Sequence, residues 1–160
     1  MTDDVLYDDA ICRTAQWFHT IYSAVPITGQ KVNAQFGTHF EEVAEMLEAI
    51  QGNDARTERL IATAANHLHE LANHLKNPET NQEQLLSFDR IALADSLGDQ
   101  VVTGVGCGVM TNINMHGVLQ EINRSNFSKF DKNGKPVFKD GGKVGKSELY
   151  SKPDLVPYVL

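Results

Sequence analysis

The stretch that decides the fold is FEEVAEMLEAI, residues 40–50. Its apolar residues recur at intervals of three and four, which is the spacing of one face of an α-helix. These apolar positions are Phe40, Val43, Ala44, Leu47 and Ile50. Between them stand four glutamates, Glu41, Glu42, Glu45 and Glu48. The stretch therefore predicts a helix that is buried on one side and rich in carboxylates elsewhere.

The same apolar spacing predicts helices along most of the chain before Phe130. Prolines, glycines and capping residues set their ends, and Pro26 and Gly29 are read as breaks. The predicted helices run from about Asp4 to Ala24, from Asn33 or Thr38 to Gly52, from a cap at Asn53 or Asp54 to Lys76, from Asn81 to Met115 with a break near Ser87 to Asp89, and from Gly117 to Phe130. We therefore expect an all-α protein.

The chain changes character after Phe130, where turn-forming residues and lysines become frequent. Pro136-Val137-Phe138 is expected to pair with the stretch around Lys143-Val144 as a short hairpin. We predict one domain, with a helical core over residues 1–130 and a basic, glycine-rich hairpin and tail over residues 131–160.

The overall composition limits the classes of function. A formal net charge of -7 over 160 residues argues against a nucleic-acid polymer as the main ligand. It is compatible with a nucleotide, because divalent cations bridge carboxylates to phosphates. With no signal-peptide pattern and no apolar run of about 18 residues, we expect no membrane segment and a cytoplasmic protein. Cys12 and Cys107 are expected to be buried thiols.

Two acidic clusters are the candidates for chemistry. The glutamates of residues 41–48 repel one another at helical spacing, and no basic residue lies within the cluster. Asp95 and Asp99 are one helical turn apart among apolar neighbours, so we expect a buried environment that would penalise unpaired charge. If the two clusters face each other, they form an all-oxygen site of the type that binds Mg²⁺ or Mn²⁺. The alternative for the glutamates is an ordinary solvated helix face.

Several motifs of the sequence resemble those of a known family and occur in the same order. FEEVAEMLEA, residues 40–49, resembles the EExxE helix of the MazG-like, all-α NTP pyrophosphohydrolases. DSLGD, residues 95–99, is similar to that family's second acidic motif, ExxD, although Ser96 stands where the motif has Glu. EINRSNFSK, residues 121–129, and the glycine- and lysine-rich residues 134–155 resemble the corresponding parts of a phage-type, MazZ-like branch.

The resemblance implies a four-helix-type bundle with a short C-terminal hairpin and tail. It also implies a metal-dependent enzyme that cleaves a nucleoside triphosphate between its α- and β-phosphates. The first choice of substrate is dGTP, and the protein is expected to be a homodimer or homotetramer. By position, Glu41, Glu42, Glu45 and Asp99 resemble the metal-binding acids of the family. With Asp95 sharing the role of Asp99 one turn away, we expect Glu42, Glu45, Asp95 and Asp99 to hold Mg²⁺ or Mn²⁺, and Glu41 or Glu42 to activate the attacking water. Asn126 and Lys129 would bind the substrate, and Arg124, Lys143 and Lys146 are further candidates for phosphate contacts. Trp17, Phe18 and His19 are either base-pocket or core residues.

Other patterns are weaker. The stretch GGKVGKS, residues 141–147, lacks the first glycine of a P-loop, because Asp140 stands five positions before Gly145. His67 and His69 point to different helix faces, so a zinc site is not expected. Two rival functions remain open: a nucleotide-binding helical bundle without catalysis, and a helical interaction module whose acids are only a solvated surface.

Overall fold

The protein is described by a computed structural model over residues 9–79, 83–139 and 143–159. Within these residues it forms five α-helices and a short 3-10 helix, and its only β contacts are isolated bridges. The α-helices are α1 (Ala10–Ala24), α2 (Gly29–Glu48), α3 (Ala55–Lys76), α4 (Arg90–Met110) and α5 (Met115–Phe127). The all-α fold class predicted from the sequence is confirmed.

The helices divide into two compact units. The α2–α3 unit comprises residues 27–89, and the α1–α4–α5 unit comprises the described parts of residues 9–26 and 90–159. The predicted division of one domain at residue 130 stays a prediction. In the described helices, none combines the length and the apolar character that crossing a membrane requires.

Helix α2 begins earlier than the sequence predicts. The Thr28 hydroxyl caps it by accepting a hydrogen bond from the Lys31 amide at 3.3 Å, so that Gly29 is the first helical residue rather than a break. Glycine is needed there because a β-carbon would lie only 2.6 Å from the backbone nitrogen of Gln84. Gly29 therefore allows the backbone at Gln84 to pack closely against the start of α2, and it does not end a helix.

Helix α3 has the predicted bounds, and Asp54 is its predicted cap. One Asp54 carboxylate oxygen accepts hydrogen bonds from the Arg56 and Thr57 amides at 2.9 and 3.0 Å. The α2–α3 contact buries small side chains together with one leucine: Gly37, Ala44, Ala65, Ala72 and Leu75. Leu60 and Leu71, two larger apolar residues of α3, are exposed. Small residues allow the helices to approach closely, so the contact lies over the alanines rather than the larger leucines.

The segment before α4 is not helical and lies along α2. The fully buried Asn33 donates to the Glu83 carbonyl at 2.7 Å and accepts from the Leu85 amide at 3.0 Å. Phe88 stacks on Phe36 with 4.9 Å between ring centroids. The helix predicted over residues 81–115 was therefore wrong in its first part, because these contacts hold residues 83–89 in a non-helical conformation. It also ends earlier than predicted, at Met110. Residues 80–82 lie outside the described residues.

In the other unit, α1 packs against α5. The buried Asn123 side chain donates to the Ala10 carbonyl at 2.8 Å and accepts from the Thr14 hydroxyl at 3.0 Å. Asp9 caps α1, and the predicted helical residues 4–8 lie outside the described residues. Asn114 caps α5 by accepting from the Gly117 amide at 3.1 Å. Helix α5 therefore begins two residues before the predicted Gly117 and ends at Phe127.

Helix α4 is exposed along most of its length, contrary to the expected burial. Among the described helices of its unit, α5 is the one that it contacts. Gly108 meets Met115, as close packing predicts, but a β-carbon added at Gly104 or Gly106 would have nothing within 4 Å. Cys107 and Cys12 are also exposed rather than buried. Helical periodicity identified these residues correctly as helical, but burial depends on neighbours that periodicity does not identify.

The tail forms the predicted pairing. Phe138 and Val144 make an antiparallel bridge, and the Gly145 amide donates to the Val137 carbonyl at 2.7 Å. A second bridge joins Ile113 to Val159 and returns the end of the described chain to the start of α5.

Candidate metal and nucleotide site

The glutamates of α2 differ in their surroundings. The ammonium of Lys76, on α3, donates to a Glu41 carboxylate oxygen at 2.5 Å. At the other end of the cluster, the His69 ring lies 2.8 Å from a Glu48 oxygen. Sequence reasoning looked for bases only within the cluster and missed these partners, which lie on the neighbouring helix. Lys76 therefore relieves the repulsion at Glu41, and His69 gives Glu48 a hydrogen-bonding partner from α3.

Glu42 and Glu45 lie between those two pairs in sequence and are both exposed. Among the described residues, no hydrogen-bonding or ionic partner is found for the Glu45 carboxylate. Residues three apart lie on neighbouring positions of a helix surface, so these carboxylates can act together. They are hard oxygen donors, which is the ligand type that Mg²⁺ and Mn²⁺ prefer.

Asp95 and Asp99 lie one turn apart on α4, in the other unit, and both are exposed. The expectation that they are buried among apolar neighbours was wrong, because the apolar residues of α4 are themselves exposed. The penalty for burying unpaired charge therefore gives no argument for a metal here. No group of three or more His, Cys, Asp or Glu side chains suited to a metal ion was found among the residues that the structure describes. A shared all-oxygen site stays a prediction.

Asn126 and Lys129, the predicted phosphate-contacting residues, are brought together at the end of α5. The Lys129 ammonium donates to the Asn126 side-chain oxygen at 2.7 Å and lies 5.6 Å from the centre of the Trp17 ring. The Trp17 indole N–H donates to the Asn126 carbonyl at 3.0 Å, and its ring stacks on the buried Phe130. Trp17 therefore links α1 to α5 and orients the predicted substrate-binding pair.

The tail is fastened next to this pair. The Ser147 amide donates to the Lys129 carbonyl at 3.3 Å, and the Ser151 amide donates to the Ser128 hydroxyl at 2.9 Å. Lys146 lies over the Tyr150 ring, with its ammonium 4.4 Å from the ring centroid. These bonds place residues 146–151 beside the C-terminal end of α5. Gly141 and Gly142 of the P-loop-like stretch lie outside the described residues, and Lys143 is exposed.

Arg124 has a different environment from Lys129. Its guanidinium forms two hydrogen bonds to the Glu121 carboxylate, at 2.8 and 2.7 Å, and a third to the Lys152 carbonyl at 2.8 Å. The bond from Arg124, together with one from the Asp154 amide, lowers the pKa of Glu121 from 4.5 to about 2. In this arrangement Arg124 holds the tail against α5. Its predicted phosphate contact would compete with these bonds.

Arg13 was not among the residues predicted to be functional. Its guanidinium lies 5.0 Å from the centre of the Phe127 ring, one turn before Trp17 on α1. Basic residues are common near the end of the apolar face of a helix. The contact with Phe127 is therefore what distinguishes Arg13 from other surface arginines.

No protein-family model, no curated protein and no solved structure matches this chain. The resemblance to the MazG-like enzymes therefore stays a prediction that rests on the motifs themselves.

Proposed function

We propose that the protein is a metal-dependent nucleoside triphosphate pyrophosphohydrolase that converts a (d)NTP, with dGTP as first choice, to the monophosphate and pyrophosphate. The observation that supports it most is the uneven pairing of the acids on α2. Helix α3 supplies bases to Glu41 and Glu48, whereas the exposed Glu45, next to the exposed Glu42, has no such partner among the described residues. The sequence motifs that resemble those of the MazG-like enzymes support pyrophosphohydrolysis as the reaction class.

In this proposal Glu42, Glu45, Asp95 and Asp99 hold Mg²⁺ or Mn²⁺. The ions supply positive charge that neutralises the triphosphate and the charge that develops during cleavage. Glu41 or Glu42 orients the attacking water and accepts its proton. Lys129, held by Asn126 and placed over Trp17, presents its ammonium to phosphate oxygens, and Lys143 and Lys146 extend this basic surface.

A product assay tests the proposal. Purified protein is incubated with each dNTP and NTP and with Mg²⁺ or Mn²⁺, and the products are resolved. We expect monophosphate and pyrophosphate, with dGTP the best substrate. Release of orthophosphate and a nucleoside diphosphate would reject the proposed bond cleavage.

The site is tested with charge-neutral variants. Glu45→Gln and Asp99→Asn should each lower kcat at least about 100-fold, because each removes a charge that acts on the developing phosphate charge. Glu70→Gln, an exposed acid on α3, is the matched control and should retain activity. Wild-type turnover in both Glu45→Gln and Asp99→Asn would reject the assignment of these acids.

Metal binding has a readout that does not require turnover. A ligand that binds only the folded protein raises its Tm. We expect Mn²⁺ to raise the Tm of the wild type and of Glu70→Gln, and to raise that of Glu45→Gln much less. Equal Mn²⁺ responses in all three proteins would contradict binding by Glu45.

We further propose a cytoplasmic protein that associates as a homodimer or homotetramer. Helix α4 supports the association, because seven of its large apolar side chains are at least two-fifths exposed: Ile91, Leu97, Val101, Val102, Val105, Val109 and Met110. Monomers rarely expose apolar patches of more than a few hundred Å². A second copy of the chain is the occupant that the proposed assembly requires.

Nucleotide binding without catalysis is the second candidate. It is favoured by Ser96, which stands three positions before Asp99 where the ExxD motif has a carboxylate. This candidate predicts saturable binding of a (d)NTP by calorimetry and no monophosphate after prolonged incubation with either metal.

A further inference from the structure

The contact between Lys76 and Glu41 is built into the α2–α3 interface. A β-carbon at Gly37 would lie 2.8 Å from the Lys76 γ-carbon and 2.9 Å from the Ala72 carbonyl oxygen. The absence of a side chain at Gly37 therefore leaves the space through which the Lys76 stem crosses α2. Glu41 lies one helical turn beyond Gly37, where the ammonium at the end of that stem meets it.

The Lys76–Glu41 pair is less exposed to solvent than the His69–Glu48 pair. The side chains of Lys76 and Glu41 are 26% and 34% exposed, whereas Glu48, in the pair with His69, is 57% exposed. A lysine stem that packs against a helix loses less freedom on forming the ion pair than a stem in solvent, because packing has already restricted its rotamers. Lys76 is therefore suited to hold the Glu41 carboxylate in one orientation.

We infer that Lys76 is a positioning residue for Glu41 in the hydrolysis, an inference that rests on the proposed function. Its ammonium binds one carboxylate oxygen and leaves the other to accept a hydrogen bond from water. Because Lys76 already supplies the positive charge beside Glu41, the metal ions are carried by other acids, Glu42 and Glu45 among them. Glu41 is thus the water-activating residue rather than a metal ligand.

In the proposed chemical step, water attacks the triphosphate and Glu41 accepts the proton that the water loses. The water oxygen forms a bond to one of the two phosphorus atoms that flank the bridging oxygen between the α- and β-phosphates, and a water proton passes to the Glu41 carboxylate. The bond from the attacked phosphorus to the bridging oxygen breaks, and its electron pair stays on that oxygen. The products are the monophosphate and pyrophosphate, and Lys76 neither gains nor loses a covalent bond.

A double-mutant cycle tests the inference. The variants are Lys76→Met, which keeps an apolar stem over Gly37, Glu41→Gln, and the double variant. We expect Lys76→Met to lower kcat about 10- to 100-fold, within the range of general-base catalysis, and to leave KM within about threefold. In the Glu41→Gln background, Lys76→Met should cause no further loss, because the two residues act as a unit.

Controls separate positioning from folding. Arg59→Met removes another basic residue of α3 that is exposed, and it should keep wild-type kcat. Lys76→Arg, which restores a cation, should recover part of the activity lost in Lys76→Met. Lys76→Gln is prepared in parallel, so that the cycle can be completed if the methionine variant does not fold. Circular dichroism and Tm establish which variants are folded.

The outcomes distinguish this inference from the proposed function. Wild-type kcat in folded Lys76→Met, or a double variant that loses the product of the two single effects, would overturn the positioning role while pyrophosphohydrolysis stands. A wild-type protein that hydrolyses no triphosphate would overturn the proposed function and the positioning role together.

Discussion

Glu121 and Arg124 show how one pair of side chains can determine the position of a chain segment. The Glu121 carboxylate accepts two bonds from Arg124 and one from the Asp154 amide, and Arg124 also donates to the Lys152 carbonyl. These bonds connect α5 to residues 152–154. The phosphate contact predicted for Arg124 would have to compete with these bonds.

The lowered pKa of Glu121 gives a pH-dependent prediction. Its folded pKa, about 2, lies below the ordinary value of 4.5, so the ionised form stabilises the folded state above pH 4.5. That contribution is lost as the pH falls from 4.5 towards 2. The difference in Tm between wild type and Glu121→Gln should be full at pH 6 and should shrink as the pH falls through this window.

A substitution of Arg124, which forms two hydrogen bonds to Glu121, checks this prediction. Arg124→Gln removes the largest cause of the pKa shift and should make the pH dependence of the Tm resemble that of Glu121→Gln. A Tm difference between wild type and Glu121→Gln that stays constant from pH 6 to pH 3 would contradict the role of this carboxylate.

At the scale of elements, the α2–α3 hairpin depends on close approach of the two helices. Gly37 and the alanines at the interface allow this approach, which brings Lys76 to Glu41 and His69 to Glu48. Helix α4 is the opposite case, since its glycines at positions 98, 104 and 106 have open space around them. The same residue type therefore has different consequences in the two elements.

A pair of glycine substitutions tests this contrast. Gly37→Ala should destabilise the protein by about 1–3 kcal/mol, because the added methyl overlaps the Ala72 carbonyl and the Lys76 stem. Gly106→Ala should be neutral or stabilise by up to about 1 kcal/mol, because alanine is the better helix former and nothing lies near it. Chemical unfolding of both variants measures the difference. Equal free energies of unfolding for the two variants would contradict the interface.

At the scale of the whole molecule, the exposed apolar side chains of α4 are the main indication of assembly. Val102 is 69% exposed and Val109 is 66% exposed, although both are apolar residues of a 21-residue helix. Burial of such surface is favourable at about 25 cal/mol per Å². Association of copies through α4 would therefore stabilise the protein, and the proposed homodimer or homotetramer supplies the second copy.

A charge placed on this surface tests the assembly. Val102→Lys should shift the protein to a smaller species in light scattering coupled to size-exclusion chromatography, because a lysine there opposes burial. Thr103→Lys introduces the same residue one position along α4 and should keep the wild-type mass. An unchanged mass for Val102→Lys, or a monomeric wild type, would reject α4 as the contact.

Helix position was predictable wherever local chemistry sets it. Asp54 caps α3, and residues 136–144 pair around a turn, because those contacts join residues close in the chain. The non-helical conformation of residues 83–89 was not predictable, because the partner of the Glu83 carbonyl and the Leu85 amide is Asn33, about fifty residues earlier in the chain. The burial expected for Asp95 and Asp99 failed for a related reason, because an apolar pattern does not show whether a neighbouring element is present.

The sequence by itself determined the helical class, the cap of α3 and the list of acids and bases that are candidates for chemistry. Only the tertiary structure decided how those groups are paired. Lys76 and His69 lie 35 and 21 residues from the glutamates that they contact, so no local pattern links them. Electrostatic pairing depends on distance through space, and the close approach of α2 and α3 sets that distance.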